Sequence, residues 1–439
     1  GSRRLENETY RNIELIWLLG DLHPDHWTIC SFRRENKEQI RHVTIAFREF
    51  LKSEGYISGG TVATDGCKFK AYASKDMLTI KTIEQRLRKL DEKLNEYLDE
   101  FQKTDTIEDL KSELEPLEGG EQINSALIDK IADMQARIEK LQMQKEHLEE
   151  SGKNYLAPND PDANLVRSRD GMIPGYNIQA VTDGKHKMIA VAEITNETCD
   201  VGELKNNIED LNEQLGIEPD TVEADKGYYN TNHIKDIEEE SETTCYIPSP
   251  EVSKKEEDKE NGIEFTYDRE NDQYICSQGK TLKLKQRNHK KRNQVYNVYQ
   301  GTQCGDCLLK GKCTSSKTGR IVKRNIEQDW IDQYKKRINA RKAKEKILER
   351  KTIVEHPFGS IKLMMGKLHF LLTRKDKVQI EVDLYATAYN FKRLINIENM
   401  QLLLQKVDNF DWKETLKRFL FADSNLLAFC SPQFKFLKN

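Results

Sequence analysis

The sequence predicts a mixed α/β fold: a mixed-sheet core, a helical domain ahead of it, an antiparallel helical hairpin inserted into it, and a small cysteine-rich, zinc-knuckle-like insertion. Short apolar runs punctuated by turn residues, around residues 61–65, 176–194 and 221–247, have strand length. Two long heptad stretches between residues 80 and 148 interrupt them. With 439 residues, 33% charged and 37% hydrophobic, the chain is expected to fold as two or three units rich in solvated helix.

Residues 1–58 read as a compact helical module. Ile40, Val43, Ala46, Phe47 and Phe50 recur at helical spacing, and Thr28 is placed to cap the helix that carries Arg33 and Arg34. The opening Gly1-Ser2 has the look of a cloning scar, so the natural N-terminus is expected to lie outside this sequence. Residues 59–79 and 155–250 form the first part of the core. After two glycines, Thr61 to Thr64 is a buried-strand pattern ending at Asp65.

Residues 80–154 are the hairpin. Ile80, Ile83, Leu87, Leu90, Leu94, Tyr97 and Phe101 alternate spacings of 3 and 4, as do Leu127, Ile131, Met134, Ile138, Leu141, Lys145 and Leu148. Seams of that period need a partner helix. The sheet pattern resumes at Tyr176–Val181 and Met188–Ile194, joined at Asp183-Gly184. A helix follows with Asp200 near its cap and Gly216 as its stop, then a strand ending at Asp225, a helix, and a strand in "TTCYIPSP". Residues 251–330 are the basic, Cys-rich insertion. Residues 331–400 return to the core with a helix from near Asn339 through Glu355 and another on which Leu384, Ala388 and Phe391 are expected to pack inward, with Asn390 and Arg393 available to DNA. Residues 401–439 form a helical tail.

Charge is segregated. Residues 81–150 carry 11 Lys+Arg against 19 Asp+Glu, whereas residues 280–351 carry 22 against 6. A block of net +16 points to a polyanionic partner. The chain has no run of about 18 apolar residues, so no membrane span is expected. Nine unevenly spaced cysteines fit a reducing compartment better than a disulfide framework.

Asp65 and Asp225 fall at predicted strand ends and Glu355 on a helix that can cross the same sheet edge. Converging carboxylates suit Mg²⁺ or Mn²⁺ and leave positions open for phosphate, and a pair of such ions suits phosphoryl transfer to a polynucleotide.

The blocks "TDGCKFKAYASKD", "DPDANLVRSRDGMIPGYNIQAVTD", "EITNETCDVGEL", "EADKGYYN", "ERKTIVEHPFGSIK" and "LYATAYNFKRLI" resemble those of bacterial insertion-sequence transposases of the DDE type. The resemblance runs from about residue 10 to residue 397. It implies an RNase H-like core with a five-stranded mixed sheet, Asp65, Asp225 and Glu355 as the metal-binding triad, and cleavage of element ends followed by strand transfer. It also implies a homodimer on DNA, acting in the bacterial cytoplasm at the nucleoid. Lys362 matches the lysine of the family's Y-x2-R-x3-E-x6-K signature. The signature's arginine position is Lys351, one residue after Arg350, and its tyrosine position is Leu348. A metal-dependent nuclease that cuts without joining, and a domesticated, inactive DNA-binding protein, are the alternatives.

Cys304, Cys307 and Cys313, with Cys276 as a fourth thiolate, fit a structural Zn²⁺ site, and His289 is an alternative ligand. Lys283, Lys285, Arg287, Lys290, Lys291 and Arg292, interleaved with Tyr296 and Tyr299, are candidates for phosphate contact. Arg33, Arg34 and Arg41 are candidates for base contact. His356 is expected to hydrogen-bond a phosphate rather than act as acid or base.

Overall fold

The computed structural model describes residues 1–73, 77–112, 120–168, 171–250, 253–291, 294–366 and 369–420, without the side chains of 100–128, 253–256, 365 and 419–420. Arg292, Cys430 and the tail beyond residue 420 lie outside them. The chain divides into two compact units, Gly1–Asp220 with Thr352–Asn439, and Thr221–Lys351.

In chain order the first unit opens with α1 (Ser2–Thr9), α2 (Ile13–Leu18), α3 (His26–Glu35) and α4 (Lys37–Ser53), followed by β1 (Thr61–Lys70). The hairpin helices α5 (Ile80–Ser112) and α6 (Gly120–Ser151) precede β2 (Asn164–Ser168), β3 (Gly171–Asp183), β4 (Ile189–Thr195) and α7 (Glu203–Leu215). The second unit holds β5 (Thr221–Glu223), a 3₁₀ turn (Lys226–Tyr228), α8 (Thr231–Glu240), β6 (Thr244–Tyr246), α9 (Ser253–Glu260), β7 (Phe265–Asp268) and β8 (Gln273–Cys276). It continues through β9 (Thr281–Lys291), β10 (Gln294–Gly301), α10 (Lys310–Cys313), β11 (Ile321–Asn325) and α11 (Gln328–Asn339). The helix α12 (Arg341–Met365) begins in the second unit and ends in the first, where α13 (Lys375–Ile397), α14 (Met400–Asn409) and α15 (Trp412–Leu420) follow.

Local chemistry sets the helix ends. The Asp25 carboxylate accepts the Thr28 N–H at 2.7 Å, so Asp25 caps α3 and Thr28 lies inside it, correcting the expected cap. Gly216 ends α7 in the left-handed region at φ +56°.

In the first unit β3 is the central strand. It pairs antiparallel with β1 from Val62↔Asp183 to Lys70↔Gly175, with β4 from Asn177↔Thr195 to Thr182↔Ile189, and with β2 near its start. The expected end of β1 at Asp65 is overturned: the strand runs five residues further, and Asp65 lies within it opposite Ala180. Asp-Gly resembles a turn, but the pairing with β3 continues through it.

Alternation along the strands separates two faces. One carries Phe69, Tyr176, Ile178 and Ala180 in a cluster with Phe358 and Ile361 of α12 and Val378, Val382, Ala386 and Tyr389 of α13. The other is polar. Asn207 on α7 donates to Thr64 Oγ1 at 2.7 Å and to Gln179 Oε1 at 3.1 Å.

The stripe expected on α13 is also corrected. Leu384 and Phe391 are 45% and 53% exposed and Ala388 is exposed, whereas Asn390 is fully buried. The Asn390 amide exchanges two hydrogen bonds with the backbone of Ile189, both at 2.8 Å, and Arg393 donates to the His186 carbonyl. Neither side chain is directed at DNA, because β4 and the loop before it hold both.

Helices α5 and α6 pack on each other with the described seam residues from Ile83 and Ile131 onward turned inward, whereas Ile80 is exposed. Ile83 and Leu148 are buried at the base beside Leu78 and Leu156, and Leu87 and Leu141 follow. Ile83 beside Leu148, and Leu87 beside Leu141, require antiparallel helices, and Lys145 bonds Glu84 across them at 2.9 Å.

In the second unit β5 and β6 pair in parallel. A separate antiparallel sheet, ordered β11-β10-β9-β8-β7, packs Tyr274, Leu282 and Tyr299 as its core. Among the described residues no helix is long and apolar enough to cross a membrane.

Candidate active site and nucleic-acid surfaces

Ala63, Asp65, Cys67 and Phe69 alternate onto the face of β1 that α12 covers. Ala63 clusters with Ile353 and Val354, and Phe69 belongs to the cluster containing Phe358 and Ile361. Asp65 therefore lies on this face between two points where α12 packs. It is half-buried, and its Oδ1 accepts the Gly66 N–H at 3.0 Å.

Glu355 and Lys362 lie seven residues apart on α12, two turns along one stripe. The Lys362 ammonium sits 5.7 Å from the Phe69 ring centroid. Burial pushes the Cys67 thiol up, Lys362 opposes that shift, and Asp65 adds to it. The stripe carrying Glu355 thus borders the strand that carries Asp65. Glu355 is exposed and has no ion pair with a described residue. Pro357, two residues on, lies inside the helix and has no N–H to give to the Ile353 carbonyl.

Asp225 belongs to the other unit. Strand β5 ends at Glu223, and Asp225 caps the 3₁₀ turn with its Oδ1 accepting the Gly227 N–H at 2.7 Å. Two residues earlier Glu223 is fully buried, with Lys346 of α12 3.6 Å away. Burial pushes its carboxyl up to about 7, Lys346 opposing and Glu349 adding to the shift. Lys351 is exposed, Arg350 half-buried, and Leu348 63% exposed.

His356 sits beside Glu355 but is tied elsewhere: its Nδ1 lies 2.9 Å from the Tyr389 hydroxyl on α13. Burial lowers its pKa, and Arg393 and Lys187 lower it further.

Among the described residues no three His, Cys, Asp or Glu side chains are arranged to hold a metal ion. Cys304 lies against Gly301 and Gly319, and burial raises the Cys313 thiol, with Arg320 opposing and Asp258 adding to the shift. Cys276 packs instead on the Tyr274, Leu282 and Tyr299 cluster.

On β9, Lys283, Lys285, Lys290 and Lys291 are exposed and carry no ion pair with a described residue, whereas Arg287 pairs with Asp272 at 3.0 Å. Tyr299 is fully buried, with its hydroxyl on Asp272 at 2.5 Å, so it is core rather than a base-stacking ring. Arg41 is likewise spent. Its guanidinium bonds Glu193 and, at 3.2 Å, Asp383. Arg33 is half-buried with Cys30 Sγ 3.8 Å away, and Arg34 is exposed, 5.8 Å over the Trp27 ring.

Sequence reasoning missed the Asp200 cluster. Lys68 Nζ, Asn177 Nδ2 and Gln179 Nε2 all donate to this carboxylate at 2.7–2.8 Å on the face opposite Asp65. Alternating polar residues on β1 and β3 were the signal.

Residues 275–395 match the family model for the transposase DDE domain. This stretch of the chain is therefore similar to the DDE domain of transposases. The matched span includes Glu355, Lys362, the basic β9–β10 hairpin and Cys276, Cys304, Cys307 and Cys313, and stops short of Asp65 and Asp225. No curated protein matches the chain, and no solved structure does.

Proposed function

We propose that this protein is a DNA transposase, which cuts DNA at the ends of its element in a Mg²⁺- or Mn²⁺-dependent reaction and joins the freed 3′-hydroxyl to target DNA. One observation carries the reading: Asp65 lies mid-strand on the face covered by the helix that bears Glu355 and Lys362, within the matched DDE region for the latter two. Asp65, Asp225 and Glu355 are the proposed metal ligands, on a core of RNase H-like type.

The donor chemistry fits, since all three are carboxylates, and a backbone N–H holds one oxygen of each aspartate. When bound, divalent cations would activate the attacking oxygen and neutralise the leaving one. The protein's part is orientation. The Gly66 and Gly227 amides fix the two aspartates, and Lys362, Lys351 and Arg350 supply cations for phosphate. Lysines 283, 285, 290 and 291 hold the duplex backbone, with Arg292 as a further contact, and Arg34 reads its sequence with Arg33 beside it. The working form is a homodimer on DNA in the bacterial cytoplasm at the nucleoid. Cys304, Cys307 and Cys313, with Cys276, are proposed to take Zn²⁺, for which they would have to draw together, since no three described side chains are arranged to hold an ion; metal analysis finding less than about half an equivalent per chain would remove that assignment.

The deciding experiment incubates the protein with a labelled duplex carrying the element ends and Mg²⁺. Both nicked and strand-transfer products are expected, and Asp225→Ala should abolish both while leaving DNA binding intact. Cleavage without joining would make the protein a nuclease. Binding with no cleavage by the unsubstituted protein would make it an inactive DNA-binding protein.

A further inference from the structure

Tyr389 is 2% exposed on α13, and its hydroxyl donates to the Lys187 carbonyl at 2.8 Å. A phenol has one proton. Because the carbonyl takes it, the 2.9 Å contact with His356 Nδ1 must run the other way, from the imidazole to the phenol oxygen. The carbonyl's place is itself held, since Lys187 adopts the left-handed conformation at φ +56° in the loop between β3 and β4.

We infer that Tyr389 is a positioning residue that locks His356 as the Nδ1–H tautomer, leaving Nε2 a lone-pair acceptor on the turn of α12 that carries Glu355. The two contacts settle Nδ1 as the proton-bearing nitrogen, and in that tautomer Nε2 has a lone pair and no proton to give a phosphate oxygen. Its partner is a hydrogen-bond donor, a water molecule at the site. Only the activity arm of the test rests on the proposed role of Glu355.

The test begins with metal-free protein carrying ¹⁵N-labelled histidine. His356, assigned by the signal lost in His356→Asn, should show a protonated Nδ1 and an unprotonated Nε2. In Tyr389→Phe, which loses only the hydroxyl, that preference should relax toward the commoner Nε2–H form. The melting curve of the variant shows that it is folded. An Nε2–H tautomer in the unsubstituted protein, or an unchanged tautomer in Tyr389→Phe, would overturn the inference whatever the enzyme does.

In the activity arm Tyr389→Phe should lower the cleavage rate roughly tenfold with little change in KM for the duplex, as loss of an orienting hydrogen bond would. His356→Asn places an amide near the position of Nδ1 and nothing at Nε2, so it should bind DNA as the unsubstituted protein does. A tenfold loss of DNA affinity in His356→Asn would restore the phosphate contact and sink the acceptor assignment.

Discussion

The Asp200 carboxylate occupies the space a side chain on Gly66 would need: a Cβ there would lie 2.4 Å from Asp200 Oδ1 and 2.7 Å from Gln179 Nε2. Gly66 is next to Asp65 and supplies the N–H that holds it. Gly66→Ala is therefore expected to displace Asp200 from Lys68, Asn177 and Gln179 and to cost about 2 kcal/mol, the scale of overpacking in a filled site. Urea denaturation measures the loss. Metal-dependent cleavage should fall further than stability alone accounts for, because the strand carrying Asp65 shifts. A variant as stable and active as the unsubstituted protein would show that the cluster gives way freely.

Asp210 on α7 predicts a pH dependence. Burial pushes its carboxyl up to about 6; Glu193 and Glu213 add to the shift and Arg41 opposes it. A carboxyl raised in the folded state binds its proton more tightly there than in the unfolded chain, so stability falls as pH rises between about 4 and 6 and stays lower above that. Asp210→Asn removes the penalty. The variant should be more stable by about 2 kcal/mol at pH 8, allowing for the partial exposure of the site, and little changed at pH 4. Melting curves at the two pH values check both the size and the sign.

The heptad seams were the most legible part of the fold, although Ile80 at the start of α5 is 38% exposed and the Phe101 and Leu127 side chains lie outside the described residues. Ile83, Leu87, Leu90, Leu94 and Tyr97 all turn inward, as do Ile131, Met134, Ile138, Leu141, Lys145 and Leu148. On α13 the same reasoning chose the wrong stripe. The buried face includes Asp383 and Asn390, which apolar periodicity counts as solvent positions. Strand β1 was cut short for a related reason: its α7-facing positions, Thr64, Gly66 and Lys68, serve a polar cluster rather than an apolar core. Of the proposed site residues, Glu355 could be reached from its helix and its charge surroundings, and Lys362 only through the family signature it resembles. Tyr389 could not, since its link to His356 comes only from the packing of two helices.

The β9 lysines predict a measurable salt effect. Lys285 and Lys290 are exposed and carry no ion pair with a described residue, on a strand whose neighbours Lys283 and Lys291 are equally exposed. Lys285→Ala and Lys290→Ala should each weaken binding to specific and unrelated duplexes alike, and each should lower the slope of log K against log salt by about 1. Arg287→Ala should change the slope less, because Asp272 already engages that guanidinium. Filter binding across a salt series separates the three variants. A loss confined to element-end duplexes would assign this strand to base reading instead.

The buried pair Arg48 and Asp383 predicts a large stability effect with a specific way to recover it. Arg48 is 1% exposed and Asp383 fully buried, their bond is 2.8 Å, and it ties α4 to α13. Burial raises the Asp383 carboxyl while Arg48 and Arg41 lower it, so the charge is supported from two sides. Removing Arg48 leaves only Arg41 at 3.2 Å, itself shared with Glu193. Arg48→Met is expected to cost about 3 kcal/mol, chiefly the burden of a poorly compensated buried carboxylate. Asp383→Asn in the same chain removes that charge, so the double variant should regain at least half of the loss. Additive losses in a double-mutant cycle would show that the two groups act independently and that the contact does not anchor the N-terminal helices.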